Sequence, residues 1–199
     1  MKVLSLCQKL NFKLPVESLE CLGDGSDGEV FTIASDKNTV IKLCIIYEYD
    51  EDCERLYEKT RSNLLFVMEN KPSAYVRVHT HGYLGSSVRP FDTRMQKFII
   101  HYYTMEKLRK ISEDECRVFS SILSYEDCGI KKDYSPKKFK EILTGLRRRL
   151  DFDAEKVTLF CNNIEAAPIV YNDLHIMNIM KDASGNFKLI DLDRMELEK

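Results

Sequence analysis

The chain has 199 residues, 44% of them hydrophobic and 31% charged, with a formal net charge of -2. That is enough for one ordinary domain or two very small lobes of a soluble protein, and the near-neutral balance excludes a general attraction to nucleic acid or an anionic membrane surface. Seven scattered cysteines without a C-x-x-C pair exclude a disulfide framework and a cysteine zinc site, and they suit a reducing, cytoplasmic setting. No apolar run approaches the roughly 20 residues of a membrane-crossing helix. Residues 1–14 lack the apolar core of a signal peptide.

In chain order, the first stretch is a modest apolar lead-in broken by Pro15. Leu22-Gly23-Asp24-Gly25-Ser26-Asp27-Gly28 follows, a G-x-G-x-x-G run that two chemistries share. In the dinucleotide fold such a run opens a helix. Here Glu29-Val30-Phe31-Thr32-Ile33 is β-branched and aromatic, residues 35–38 read as a turn, and 39–46 read as a further strand. Strand, glycine turn, strand, turn, strand is the better parse, a hairpin able to cover phosphates. A glycine-rich hairpin with no ligand is the plain alternative.

Lys42 lies inside that apolar strand, where a charge is expensive unless paired. The alternative is an edge lysine facing solvent. Residues 48–70 read as a charged amphipathic helix ended by Lys71-Pro72. Of its acids, Glu58 is the chosen partner for Lys42, with Glu54 and Glu69 as rivals that spacing does not separate.

Strands are expected over 75–84 and 97–106, joined by a polar loop. His79, His81 and His101 have no cysteine or acid at ligand spacing, so they read as a half-exposed strand face rather than a zinc site. Met105-Glu106-Lys107-Leu108 closes a five-strand set, and the division falls near 106–111, giving units of 1–108 and 109–199. Beyond it, Ser112 and Glu115 form a capping box for a helix through Val118, Phe119, Ile122 and Leu123, ended by Gly129. Ser135-Pro136 opens another, with Phe139, Ile142, Leu143, Leu146 and Leu150 at helical spacing. Its other face carries Lys137, Lys138, Lys140, Arg147, Arg148 and Arg149, either a solvated surface or a docking patch for an acidic partner. A short amphipathic segment near 154–160 comes next.

The richest stretch is 170–180 with 189–194. It sets Asp173, then Asn178 five positions on, then Asp191 thirteen further. Phosphoryl transfer from a nucleotide needs such a set: one carboxylate for the attacking hydroxyl, and an amide oxygen with a second carboxylate for the metal ions bridging the phosphates. Gly185 and Asn186 stand between two apolar runs, as a hairpin turn requires. An ordinary hairpin with polar tips is the alternative.

Taken together, Leu22-Gly23-x-Gly25-x-x-Gly28-x-Val30, Val40-Ile41-Lys42, Met105-Glu106-x-Leu108, Asn172-Asp173-Leu174-His175-x-x-Asn178-Ile179 and Ile190-Asp191-Leu192-Asp193 resemble the protein-kinase-like superfamily over about residues 20–195. The compact, atypical members are the nearest in pattern: RIO and lipopolysaccharide-sugar kinases, aminoglycoside phosphotransferases and minimal bacteriophage kinases. The resemblance implies an α+β, bilobal fold with a five-stranded antiparallel N-lobe sheet, one helix and a small helical C-lobe. It implies ATP and magnesium as cofactors. Gly23, Gly25, Gly28 and Val30 would cover the nucleotide, Lys42 would contact the α- and β-phosphates, and Glu58 would hold Lys42. Glu106 and Leu108 would supply hinge backbone, Asp173 the catalytic base, and Asn178 and Asp191 the magnesium ligands. The pattern departs from protein kinases at Tyr171-Asn172-Asp173 and Asp191-Leu192-Asp193, and without an Ala-Pro-Glu segment a regulated activation loop is not expected. A serine/threonine-type protein kinase is the leading expectation. A small-molecule or sugar kinase and a nucleotide-binding pseudokinase are the alternatives, the last disfavoured because Lys42, Asp173, Asn178 and Asp191 are all present.

Overall fold

Residues 40–45 form an apolar run interrupted only by Lys42, and a strand with so little alternation must be covered on both faces. The computed structural model describes residues 2–17, 19–25, 28–47, 52–92, 94–124, 129–130, 135–171, 174–192 and 195–197, and the run lies there at the centre of a sheet. The chain divides into two compact units, Met1–Asn70 with Arg77–Lys107, and Lys71–Val76 with Leu108–Lys199.

The first unit contains α1 (Val3–Lys9), β1 (Leu19–Asp24), β2 (Gly28–Ile33), β3 (Asp36–Tyr47), α2 (Cys53–Asn70), β4 (Val78–Phe91) and β5 (Arg94–Glu106). Its five strands form one antiparallel sheet in the order β1-β2-β3-β5-β4. Successive side chains of a strand point to opposite faces. Ile41, Leu43 and Ile45 therefore share one face with Phe31, Phe98 and Ile100, and α1 closes it with Val3, Leu6 and Cys7. The lead-in is thus a lid on the sheet. Phe12 continues that cover, its ring so close to Gly85 that a Cβ there would stand 2.4 Å from it. Glu29 is 3% exposed, and its carboxylate accepts the Leu4 backbone N–H at 2.8 Å. That bond answers a buried charge with a free N–H of the helix's first turn.

The opposite face carries Val40, Lys42 and Cys44, with Met105, Tyr103 and His101 directly across on β5. α2 packs here, its Tyr57 ring 5.6 Å from both His101 and Tyr83. His101 is 1% exposed, a core residue rather than part of a half-exposed face.

Two strand limits differ from the sequence reading. Pairing in β4 and β5 runs out to Phe91 and Arg94, so most of the expected polar loop is ladder. Gly85, Ser86, Ser87 and Pro90 have poor strand propensity. Cross-strand bonding carries the extension instead: Arg89 Nε donates to Gln96 Oε1 at 2.9 Å, and its guanidinium lies 4.0 Å over the Tyr47 ring. At the other end, Tyr75 leaves the sheet and bridges Leu189 in parallel, with bonds from Val76 N to Leu189 O and from Leu189 N to Ala74 O. These bonds place Lys71–Val76 in the second unit.

The second unit contains β6 (Arg109–Lys110), α3 (Glu113–Ile122), β7 (Leu123–Ser124), β8 (Gly129–Ile130), α4 (Pro136–Leu146), α5 (Ala154–Glu165), β9 (Ile169–Tyr171), a 3-10 turn (Ile176–Asn178), β10 (Ile179–Lys181), β11 (Phe187–Leu189) and β12 (Met195–Leu197). Its sheets are small: β11-β10-β6, β12-β9 and β7-β8. Phe119, Phe160 and Phe187, from α3, α5 and β11, stack edge-on or tilted with centroids 4.9 to 5.9 Å apart. α4 stops at Leu146, just after Gly145, a residue that weakens helix interiors.

The expected capping box is present, Ser112 accepting from Glu115 N and Glu115 Oε2 from Ser112 N. The same carboxylate, 5% exposed, receives the Lys181 ammonium, which also lies 5.2 Å over Phe187. One acid therefore joins the start of α3 to β10. Glu115→Ala should cost about 2–3 kcal/mol, a lost cap together with a charged hydrogen bond. Glu113→Ala, at an exposed position, should stay within about 0.5 kcal/mol. Urea unfolding of the two variants checks the contrast.

Candidate active site

In the first unit, the glycine run sits where the parse requires, at the turn from β1 to β2. Gly23 follows a bulge and pairs with Val30, and Gly25 N donates to Gly28 O at 2.9 Å. The three glycines do different work. A Cβ on Gly28 would stand 2.4 Å from the Leu43 carbonyl oxygen, so β2 and β3 could not keep their spacing. At Gly23 and Gly25 a Cβ would meet nothing within 4 Å. The fold needs Gly28; it does not need the other two, which leave bare backbone at the surface.

Lys42 is 9% exposed on β3, directly between Val30 of β2 and Tyr103 of β5. Its ammonium lies 5.6 Å from the Tyr103 ring centroid, within the range where a ring face attracts a cation. Glu58 does not take up the role expected of it. It stands 61% exposed and bonds Arg61 at 3.0 Å one helical turn on. The physical reason is helical phase: α2 buries Cys53, Thr60, Asn63, Leu64 and Val67, and Glu58 lies on the opposite side. Glu54 pairs with Lys97 instead. The polar groups on the buried face are Thr60 and Asn63, 4% and 2% exposed. The period of Leu64 and Val67, extended back along the helix, would have singled them out.

Glu106 ends β5 opposite Thr39 and is fixed by Arg77, whose backbone N–H donates to Glu106 Oε1 at 2.8 Å while Glu106 N donates to Arg77 O at 3.0 Å. Lys107 N donates to Asn38 O. Leu108, half-buried and outside regular structure, begins the stretch assigned to the second unit.

In the second unit, Asn178 and Asp191 come together through backbone pairing. β10 and β11 are antiparallel with Ile179 opposite Leu189. The ladder runs one step further, Ile190 N donating to Asn178 O at 2.9 Å. Asn178 is 6% exposed at the end of the 3-10 turn, where its N–H donates to His175 O and His175 Nδ1 accepts from Met177 N. Asp191 has φ of +66°, a left-handed conformation that costs energy and persists only where neighbours impose it. Those neighbours are the Ile190 bond on one side and fully buried Leu192 on the other. A second pairing, Tyr171 opposite Met195, joins β9 to β12. Asp173 and Asp193 lie outside the described residues.

The turn behind this pair is built by Asp182. Its Oδ1 accepts from Ser184 N and Asn186 N, its Oδ2 accepts from Asn186 Nδ2, and Gly185 takes φ of +79°. Burial pushes the Asp182 pKa up, but the Asn186 donors, Lys188 and Ser184 outweigh it and the net value falls below 3.8. Tyr75, buried against Leu189, has its phenol pushed up to about 12 by burial.

A glycine turn between the first two strands of a five-stranded antiparallel sheet, a buried lysine on the third, and a long helix on the lysine's face make the fold protein-kinase-like. No family model matches the chain, and no curated protein matches it. Solved structures do. A ROP18 kinase domain in complex with AMP-PNP and sucrose is similar at 14% identity and a TM-score of 0.48, over 89% of this chain and 51% of that one. Monomeric WbdD is similar at 14% identity and a TM-score of 0.42, over 86% of this chain and 33% of that one. The chain thus spans about half of the first and a third of the second.

Two outcomes follow. Gly28→Ala should destabilise the protein by about 1–3 kcal/mol, while Gly25→Ala should stay within about 0.5 kcal/mol; thermal unfolding separates them. Because the folded Asp182 value is depressed, its contribution is complete above 3.8 and drains away as pH falls through the lower folded value. Asp182→Asn should flatten that part of the stability–pH curve, measured by urea midpoints between neutral and strongly acid pH.

Proposed function

We propose that this protein is an ATP-dependent phosphotransferase, moving the γ-phosphoryl group of magnesium-bound ATP to a hydroxyl, and that its acceptor is a serine or threonine of a protein. The observation that carries the reading is the Ile190–Asn178 backbone bond. It holds a buried amide side chain one step from a carboxylate in a strained backbone conformation.

The donor set fits magnesium. A hard cation that keeps most of its water takes one or two carboxylate or amide oxygens from the protein and the rest from phosphates. Asn178 and Asp191 offer that combination. When bound, the ion neutralises charge on the β- and γ-phosphate oxygens. Lys42 can supply a further positive charge to the α- and β-phosphates. Its surroundings favour this role, because an ammonium flanked by Val30 and Tyr103 is poorly hydrated and gains more from an anion than a solvated one does. The open backbone at Gly23 and Gly25 allows N–H groups to approach the phosphates closely.

Asp173 is assigned the remaining step, orienting the acceptor hydroxyl and taking its proton as the oxygen attacks the γ-phosphorus. The assignment rests on its place in the Asn172-Asp173-Leu174-His175 run ahead of Asn178. The cationic face of α4 supports a macromolecular acceptor over a small cationic one.

The test uses purified protein and labelled ATP. Asp173→Ala should lower transfer by about 10²–10⁴-fold with nucleotide affinity kept, since a base acts on the acceptor. Asp191→Ala should weaken magnesium-dependent ATP binding as well. Unchanged turnover in both variants would remove these assignments. Label confined to metabolites in a fractionated lysate would replace the protein acceptor by a small molecule, and bound nucleotide without transfer anywhere would leave a pseudokinase.

A further inference from the structure

A helix can satisfy its apolar stripe only by covering it, and α4 covers little. Phe139, Ile142, Leu143 and Leu146 lie at helical spacing, yet Leu143 alone is fully buried. Between α4 and α5 runs a groove of about 650 Å³. Phe139 and Leu143 line it from α4, and Leu159 lines it from α5 while remaining 55% exposed. At 1.5 Å per residue its two walls are about 16 and 18 Å long, three turns each. An apolar trough of that length between two helices is suited to a third helix laid into it.

The lips of the groove are charged with opposite sign. Lys140 and Arg147 stand on the α4 side, Glu155 and Glu165 on the α5 side. The two lips carry two charges each. Behind the α4 lip, outside the groove itself, Lys137, Lys138, Arg148 and Arg149 add positive charge, with Glu141 the single acid in that stretch. Cys161 also lines the groove, but burial pushes its thiol up to about 12, which makes it unreactive there.

We infer that the groove between α4 and α5 docks an amphipathic helix of a partner protein, apolar along the inner stripe and acidic along the flank that meets α4. The apolar floor supplies the affinity, and the cationic lip sets orientation and partner choice. Every residue used belongs to α4, its last turn, or α5.

The probe is a fluorescein-labelled amphipathic peptide of about 18 residues, enough to fill either wall. It carries leucines along one stripe and glutamates along one flank, and a twin carries lysines on that flank. Fluorescence anisotropy with the full-length chain should show the acidic peptide binding at least about tenfold tighter than its twin, with the margin narrowing at high salt. Leu159→Glu should weaken the acidic peptide by on the order of tenfold. Lys140→Glu with Arg147→Glu should move the preference toward the lysine twin. All three positions are exposed, so unchanged thermal unfolding is expected and guards against a folding artefact. Several results would overturn the inference. They are equal binding of the twins, equal binding when the leucines become serines (a polyanion site only), no effect of Leu159→Glu, or no binding at all. Self-association abolished by Leu159→Glu would assign the groove to a second copy of the chain and overturn it as well.

Discussion

A single backbone hydrogen bond, Ile190 N to Asn178 O, sets the geometry at the open end of the β10–β11 hairpin in the second unit. It extends the β10–β11 ladder one residue past Ile179 and Leu189, so the residue after each strand end is fixed relative to the other. Asn178 is thereby held buried and Asp191 is forced into the left-handed region. A bond between two main-chain groups does not depend on side-chain rotamers. It fixes the main chain at Asn178 and Ile190 with the rigidity of the sheet. The tight turn built on Asp182 and Gly185 at the other end of the hairpin fixes the register, because a slip of one residue would turn the ladder inside out.

The first unit meets a different constraint, a sheet covered on both faces. α1 and the segment through Phe12 close one face with apolar contacts, so Ile41, Leu43 and Ile45 behave as ordinary core. On the other face the run carries Lys42, with Tyr103 across from it and α2 packed nearby. Burying a charge costs hydration, so the surroundings of Lys42 must compensate what an apolar side chain would not have lost. Gly23 and Gly25 contrast with Gly28 in the same sheet, since the backbone has no steric need for glycine at either place.

Much of this was legible in the residues, and the parts that were not share a cause. β2, β3, the glycine turn, the Ser112–Glu115 capping box and the Asn186–Gly185 turn each rest on signals a few residues long. What escaped depends on partners far away in sequence. α1 is too short to announce itself, and its role as a lid comes from Phe31 and Phe98. The outer halves of β4 and β5 look like loop by propensity and are strands by virtue of Arg89, Gln96 and Tyr47. Tyr75 and Val76 read as the start of a strand but belong with Leu189. Glu58 is a different kind of miss. Its exposure follows from helical phase, which the sequence did contain in Thr60, Asn63, Leu64 and Val67.

The inward face of α2 meets the same constraint from the helix side. Thr60 and Asn63 are buried on it with Leu64 and Val67, while Glu58 turns outward to Arg61. A buried hydroxyl or amide gives up water and needs a partner within the fold, whereas an acid on the outer face keeps its hydration. Tyr57 packs against His101 and Tyr83, and Glu54 pairs with Lys97. Ring contacts and an ion pair therefore tie the helix to the sheet alongside its apolar stripe, and its position is set at several points along its length.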